Sequence, residues 1–346
     1  METKDNLTTL CNKKHIIGFD ILRIIFSFIV VLFHLKGTVM SRNIIDSAMF
    51  MFFMLSGFSL QYVNLYKDVL IDKETLKKFY IKRIATLFPV YVLVEVFRVV
   101  VDESVLKRFI LLPLRLLGLQ TAFTEMDFFV GVTWFNSCLI ISYLIFPFIN
   151  HIIYMANIKT RRFMFVVLLG IYFYINCLCN VLHVDISFNL YYNVLVRIFE
   201  FTLGALLVSV IAETNIKFRF SNCIFSMTAI ASFIMLLLDF GALINTFKIF
   251  FTILLLICSF YIDIRLVNKN SYIMKIINYF STLSLEVFMV QDIIKNPACG
   301  PIWGLINNPD MVVPVKFVSV YVLAIIIHHL YTVHIKRIIL NKFLKK

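Results

Sequence analysis

Apolar runs close to the roughly 20 residues needed to cross a bilayer recur at 16–35, 45–64, 80–100, 133–153, 163–181, 193–212, 222–238, 244–262, 277–295 and 313–335. Polar connections separate them, and the pattern predicts an all-α integral membrane protein, a bundle of about ten transmembrane helices. A shorter apolar piece, 109–120, is interrupted by Pro113 and Arg115 and reads as a re-entrant or interfacial segment rather than a further crossing. No connection is long enough for a soluble domain of about 50 residues. Nor is there a repeat suggesting the inverted halves of many secondary transporters. The expectation is a single membrane domain over 1–346, with a short N-terminal segment 1–15 and a tail 336–346.

Composition removes the soluble alternatives. The chain is 61% hydrophobic and only 15% charged, with 37 Phe and a mean hydropathy of +0.90, far from ordinary soluble usage. Its net charge of +13 does not call for nucleic acid, because retained cytoplasmic loops of membrane proteins carry the positive excess. Basic connections do alternate with non-basic ones. Lys13 and Lys14, the cluster from Lys67 to Arg83, then Lys159, Arg161 and Arg162, Lys217 and Arg219, Arg265 and Lys269, and the tail fall on one side. The connections holding Asp102, Glu103, Glu125, Asp127, Asp185, Asp239 and Asp310 fall on the other. This places both termini in the cytoplasm. Residues 1–15 lack an apolar core and a cleavage site, so the first span is expected to be its own insertion signal. The seven cysteines show no C-x-x-C pairing or interleaved histidines and read as small apolar residues, with no metal site.

Ionisable residues inside apolar spans are costly and usually face a protein interior or a wet cavity. In the first span Arg23 and His34 lie eleven residues apart, three turns plus roughly 20°, so they share one face about 16 Å apart. Asp20, one turn before Arg23, is its natural ion partner. Ser56 and Gly57 in the second span allow close approach of a helix or ligand. A basic run with Lys78, Lys82 and Arg83 enters the third span and suits phosphate groups as well as lipid headgroups. Trp134 and Asn136 open the fourth span with an indole and an amide suited to a sugar. Arg197 and Glu200 occupy adjacent turns of the sixth span, and Glu286 lies within the ninth.

Together these features resemble the acyltransferase-3 family of integral membrane acyltransferases. The resemblance runs nearly the length of the chain. It rests on the Arg-x10-His pattern of Arg23 and His34, then on Phe52-Phe53-x-Leu55-Ser56-Gly57, the basic segment ending in Pro89 and Tyr91, and the Trp134-Phe135 opening. Arg197-x-x-Glu200-Phe201-x-x-Gly204 and Ser284-x-Glu286-x-Phe288 complete the series. Two departures stand out. The Arg-x-x-Arg pair frequent in the third span reads Arg83 and Thr86 here, with Lys82 as a substitute, and the late histidine is replaced by Gln291. The fourth span also lacks the paired Glu of longer lipopolysaccharide-modifying members, which points to the compact polysaccharide O-acetyltransferase branch.

The resemblance implies transfer of an acetyl group from cytoplasmic acetyl-CoA to a hydroxyl of a surface glycan or its lipid-linked precursor, with no bound cofactor. Lys78, Lys82 and Arg83 would hold the donor phosphates, and the thioester arm would pass Arg23 toward His34, a base or transient acyl carrier. Trp134, Asn136, Arg197, Glu200 and Glu286 would line or brace the acceptor side, with Glu200 and Glu286 as candidates to orient His34. The implied setting is a bacterial cell (inner) membrane, crossed many times. A homo-oligomer is compatible with the sequence. The rival reading is a polysaccharide or solute exporter using the same polar path, which would need no acyl donor.

Overall fold

The computed structural model describes residues 16–36, 42–101, 112–123, 132–181, 191–212, 222–238, 246–266 and 272–344. Among these the chain is helical, with no strand. The first helices are α1 (Ile17–Lys36), α2 (Arg42–Val63), α3 (Lys73–Val101), the short α4 (Leu112–Leu116) and α5 (Gln120–Phe123), and α6 (Thr133–Met155). They are followed by α7 (Ile158–Asn180), α8 (Val194–Ala212), α9 (Asn222–Leu237), α10 (Lys248–Leu266), α11 (Tyr272–Thr282) and α12 (Ser284–Lys295). The last are α13 (Gly300–Gly304), α14 (Pro309–Ile327) and, after a π-turn at His328–Thr332, α15 (Val333–Leu344).

Among the described residues seven helices are long and apolar enough to cross a membrane, or eight if α11 and α12 form one broken span. Two shorter apolar helices, Ile224–Leu237 and Lys248–Tyr261, coincide with the spans expected at 222–238 and 244–262. The molecule is a multi-pass membrane bundle. Lys13, Lys14, Lys217, Arg219, Lys269 and the acidic residues expected opposite them, Asp310 excepted, lie outside the described residues.

Two spans differ from the sequence reading. The stretch 277–295 is not one helix but α11 and α12, bent by 50°. Ser281 gives its hydroxyl to Asp20 of α1, 2.7 Å away, instead of to its own helix. The last span does not end at 335. It runs as one helical element to Leu344, widened at the π-turn, where the amide of Val333 bonds the carbonyl of His328, an i→i+5 pairing. Residues 336–344 of the expected tail are therefore helical.

The helices gather into two compact units. The first is drawn from 1–25, 41–71 and 146–281, the second from 26–40, 72–145 and 282–346. In the first, α8 packs on α2 and α7, and α10 on α9 and α2. Glycines set the closest crossing. A Cβ on Gly57 would stand 1.9 Å from the carbonyl oxygen of Phe201, and one on Gly204 would stand 2.1 Å from that of Met54. Backbones this close need residues without side chains. Phe19, Phe58, Tyr62 and Phe260 form an aromatic cluster beside this crossing.

In the second unit α12 packs on α3 and α14, while the π-turn and α15 pack on α3. Phe135 meets Phe288 at 4.5 Å between ring centres, tying α6 to α12. Just ahead of α3, Asp72 accepts from the amides of Glu74 and Thr75 at 3.1 and 3.3 Å and from the Thr75 hydroxyl. That N-cap holds the Asp72 carboxyl below its ordinary range, chiefly through the Thr75 hydroxyl. Of the segment expected to be re-entrant or interfacial, 109–111 lie outside the described residues, and the rest enters a hairpin of α4 and α5, turned at Gly118, whose φ of 71° is open chiefly to glycine.

Candidate active site

α1 carries Arg23 and His34 on one helix as the spacing predicted, and each is fixed within its own unit. Arg23 gives one nitrogen to Asp20 at 2.9 Å and another to Ser59 of α2 at 3.1 Å. Asp20 is buried and also receives Ser281, so a carboxylate that accepts from both Arg23 and Ser281 anchors the guanidinium.

His34 sits in the second unit. Its Nδ1 lies 3.0 Å from the Val30 carbonyl. A carbonyl only accepts, so Nδ1 carries the hydrogen and the neutral ring keeps its lone pair on Nε2. Gln291, which stands where the sequence comparison led one to expect a histidine, is a polar neighbour of this ring, as is Lys295 one turn further along α12.

From Gln291 the polar groups continue through the core of this unit. Its neighbour Asp292 faces Arg98 of α3 at 3.4 Å, and Arg98 donates to Thr133 of α6 at 3.2 Å. One turn earlier in α3, Glu95 receives two nitrogens of Arg115 at 3.0 and 2.8 Å. Tyr91 closes the group, giving its hydroxyl to the Arg115 carbonyl and to Gln120. Thr121 of α5 bonds Ser137 of α6. Asn136 is fully buried in this region, yet neither atom of its amide has a hydrogen-bond partner among the described residues, and one oxygen of Glu95 is in the same condition. Buried polar atoms are nearly always paired, so an unpaired amide beside an ion-pair network is a place for a ligand's hydroxyl or carbonyl.

Glu95, Arg98, Arg115, Gln120 and Asp292 were missed by the sequence reading. The signal was available for the first two. They lie three residues apart in a long apolar span, the pattern that made Arg23 and His34 conspicuous. Arg115 was assigned to a connection because the apolar piece around it is short, whereas the α4–α5 hairpin folds it inward onto Glu95.

Several expected residues play other parts. Gly57 is filled by α8 and not by a ligand, and Ser56 bonds the Phe52 carbonyl of its own helix at 2.9 Å. Trp134 is 4% exposed and buried in the core. Glu200 does not orient His34. Its oxygens are taken by Arg197 at 2.7 Å each and by the Tyr172 hydroxyl at 2.6 Å, and Arg197 turns its remaining nitrogens to the Tyr191 carbonyl. Glu286 likewise holds another histidine, with Oε1 2.8 Å from Nδ1 of His328. At the basic start of α3 Lys82 is exposed, and Lys78 leans on Glu74 at 3.4 Å. Arg83 stacks its guanidinium on Phe79 and Tyr143, 5.7 and 5.6 Å from the ring centres.

The model of an acyltransferase domain, acyltransferase-3, matches residues 16–329. The chain belongs to the acyltransferase-3 family. The match takes in α1 through the first residues of the π-turn, including His34, the Arg98–Asp292 group and the Glu286–His328 pair, and leaves α15 beyond its end. No curated protein and no solved structure matches the chain. Membership makes this protein a membrane acyltransferase and gives the polar intramembrane residues a reaction to serve.

Proposed function

We propose that this acyltransferase moves an acetyl group from acetyl-CoA to a hydroxyl of a cell-surface polysaccharide or its lipid-linked precursor, with Nε2 of His34 as the working nitrogen. The observation that carries this reading is the Nδ1 bond to the Val30 carbonyl, which fixes one tautomer and leaves Nε2 as the base. With both termini cytoplasmic and the protein in a bacterial inner membrane, His34, Lys295 and Thr133 stand near the outer face and Lys78, Lys82 and Arg83 near the inner one.

In a direct transfer Nε2 takes the proton of the acceptor hydroxyl as its oxygen attacks the thioester carbonyl. The carbon–sulfur bond then breaks, and the proton passes to the leaving CoA thiolate. In a two-step transfer Nε2 itself attacks the thioester carbonyl, the carbon–sulfur bond breaks to release the CoA thiolate, and the acetylated ring then yields the acetyl group to the sugar hydroxyl, whose proton passes to the thiolate. Asn136, whose amide atoms have no partner among the described residues, is the contact for the acceptor.

The test is the O-acetyl content of surface glycan, read by proton NMR from cells carrying the native chain, His34→Ala or no copy, with membrane level checked in each. Loss of the acetyl signal with normal glycan export is the expected result. Persistent acetylation with glycan retained inside the cell would overturn the proposal in favour of export.

A further inference from the structure

The first eleven residues of α3, 73–83, contain five cations and one acid, Glu74, which is engaged by Lys78. α15 adds Lys336, Arg337 and Lys342 and has no acid. None of these three forms an ion pair with a described carboxylate. Arg337 and Lys342 are exposed, while Lys336 lies with Val333, Leu340 and Leu344 on the half-buried stripe of the helix.

The helix contacts decide where these charges go. Arg98, near the end of α3, meets Asp292. Six residues back along α12, about 9 Å, Glu286 meets His328 at the start of the π-turn. α15 continues from that turn and packs on α3; because Arg98 lies three residues from the C-terminal end of α3, a helix that leaves the level of Arg98 and stays on α3 runs toward its Lys73–Arg83 half. Packing two like-charged helices together is unfavourable unless an anion lies between or upon them.

We infer that α15 completes the phosphate-binding site begun by Lys82 and Arg83, so that Lys336, Arg337 and Lys342 contact the phosphates of the CoA donor. This rests on the acyl-CoA reading above and assigns part of donor recognition to a helix beyond the family match. The same chemistry would serve the phosphate of an anionic lipid, so the test separates the two sources.

Full-length protein is placed in nanodiscs of phosphatidylcholine alone, and the binding of CoA and of dephospho-CoA, which lacks the 3′-phosphate, is measured by calorimetry. The variants are Lys336→Gln/Arg337→Gln/Lys342→Gln and, separately, Lys82→Gln/Arg83→Gln. The α15 triple variant is expected to bind CoA about tenfold more weakly, the size of a few partly screened charge contacts, and to lose most of the preference for CoA over dephospho-CoA. Native-like binding by the triple variant, with loss only in the α3 variant, overturns the role of α15 and keeps the donor reading. If instead the triple variant loses only retention of phosphatidylglycerol in mixed nanodiscs, α15 is a lipid site. No CoA binding by the native protein overturns both readings, and persistent glycan acetylation in those cells would then require a different acyl donor.

Discussion

Glu286 holds the ring of His328 at 2.8 Å, joining the first turn of α12 to the π-turn between α14 and α15. The pair spans the place where one broken span and one widened span meet, and both side chains are largely buried. Removing the carboxylate strands a polar ring, which costs about 1–3 kcal/mol. Glu286→Ala should therefore lower the thermal stability of the detergent-solubilised protein by that order, and Glu286→Gln, which keeps an acceptor, by less. The double variant with His328→Ala should lose less than the sum of the two single changes.

Asn136 offers a separation of stability from activity. Its amide atoms have no partner among the described residues, so Asn136→Ala removes a buried group whose desolvation they do not compensate. The variant should be as stable as the native protein or more so. If the amide receives the acceptor, the variant should also need a higher acceptor concentration for half-maximal rate. A loss of stability together with unchanged acceptor dependence would show the amide to be structural.

The Glu95–Arg115 pair behaves in the opposite sense. Both groups are buried and joined by two nitrogens, and breaking such a pair leaves an uncompensated charge worth about 3–5 kcal/mol. Arg115→Met should sharply reduce the folded protein recovered from membranes. Adding Glu95→Gln to that variant should restore much of it, because no charge is then left alone.

At the α2–α8 crossing, Gly57→Ala and Gly204→Ala each place a methyl group within about 2 Å of a carbonyl oxygen. The helices must part, at a cost of at least about 2 kcal/mol. Both variants should lose membrane abundance in step with glycan acetylation. His34→Ala should lose acetylation at full abundance.

The spans were legible because a bilayer imposes a length and an apolar composition on every crossing. Arg23 with Asp20 was legible for the same reason, since charge in an apolar run demands a partner. What sequence could not reveal was choice among partners. Glu286 and Glu200 are equally plausible supports for His34 on paper, and only packing sends one to His328 and the other to Arg197 and Tyr172. Gly57 is similar: a small residue announces a close approach but not whether a helix or a ligand makes it. The break at Leu283 escaped because 277–295 has the length and mostly apolar character of one crossing, and a bend needs only that a few bonds be exchanged for others, such as Ser281 with Asp20. Glu95 and Arg98 lie late in a long helix whose first turns carry a cluster of lysines, and against that cluster two further charges do not stand out.

The π-turn at His328–Thr332 sets the angular phase of everything that follows it. An α-helix advances about 100° per residue, so deleting one residue there and restoring ordinary turns would swing α15 by about that angle. Lys336 would leave the stripe it shares with Val333 and Leu340, and a different side of the helix would meet α3. Two chains alike in every residue of α15, but differing by one residue in this turn, would present different charges to the same neighbour. Among relatives, the length of that five-residue turn should therefore vary together with the positions of the lysines and arginines beyond it.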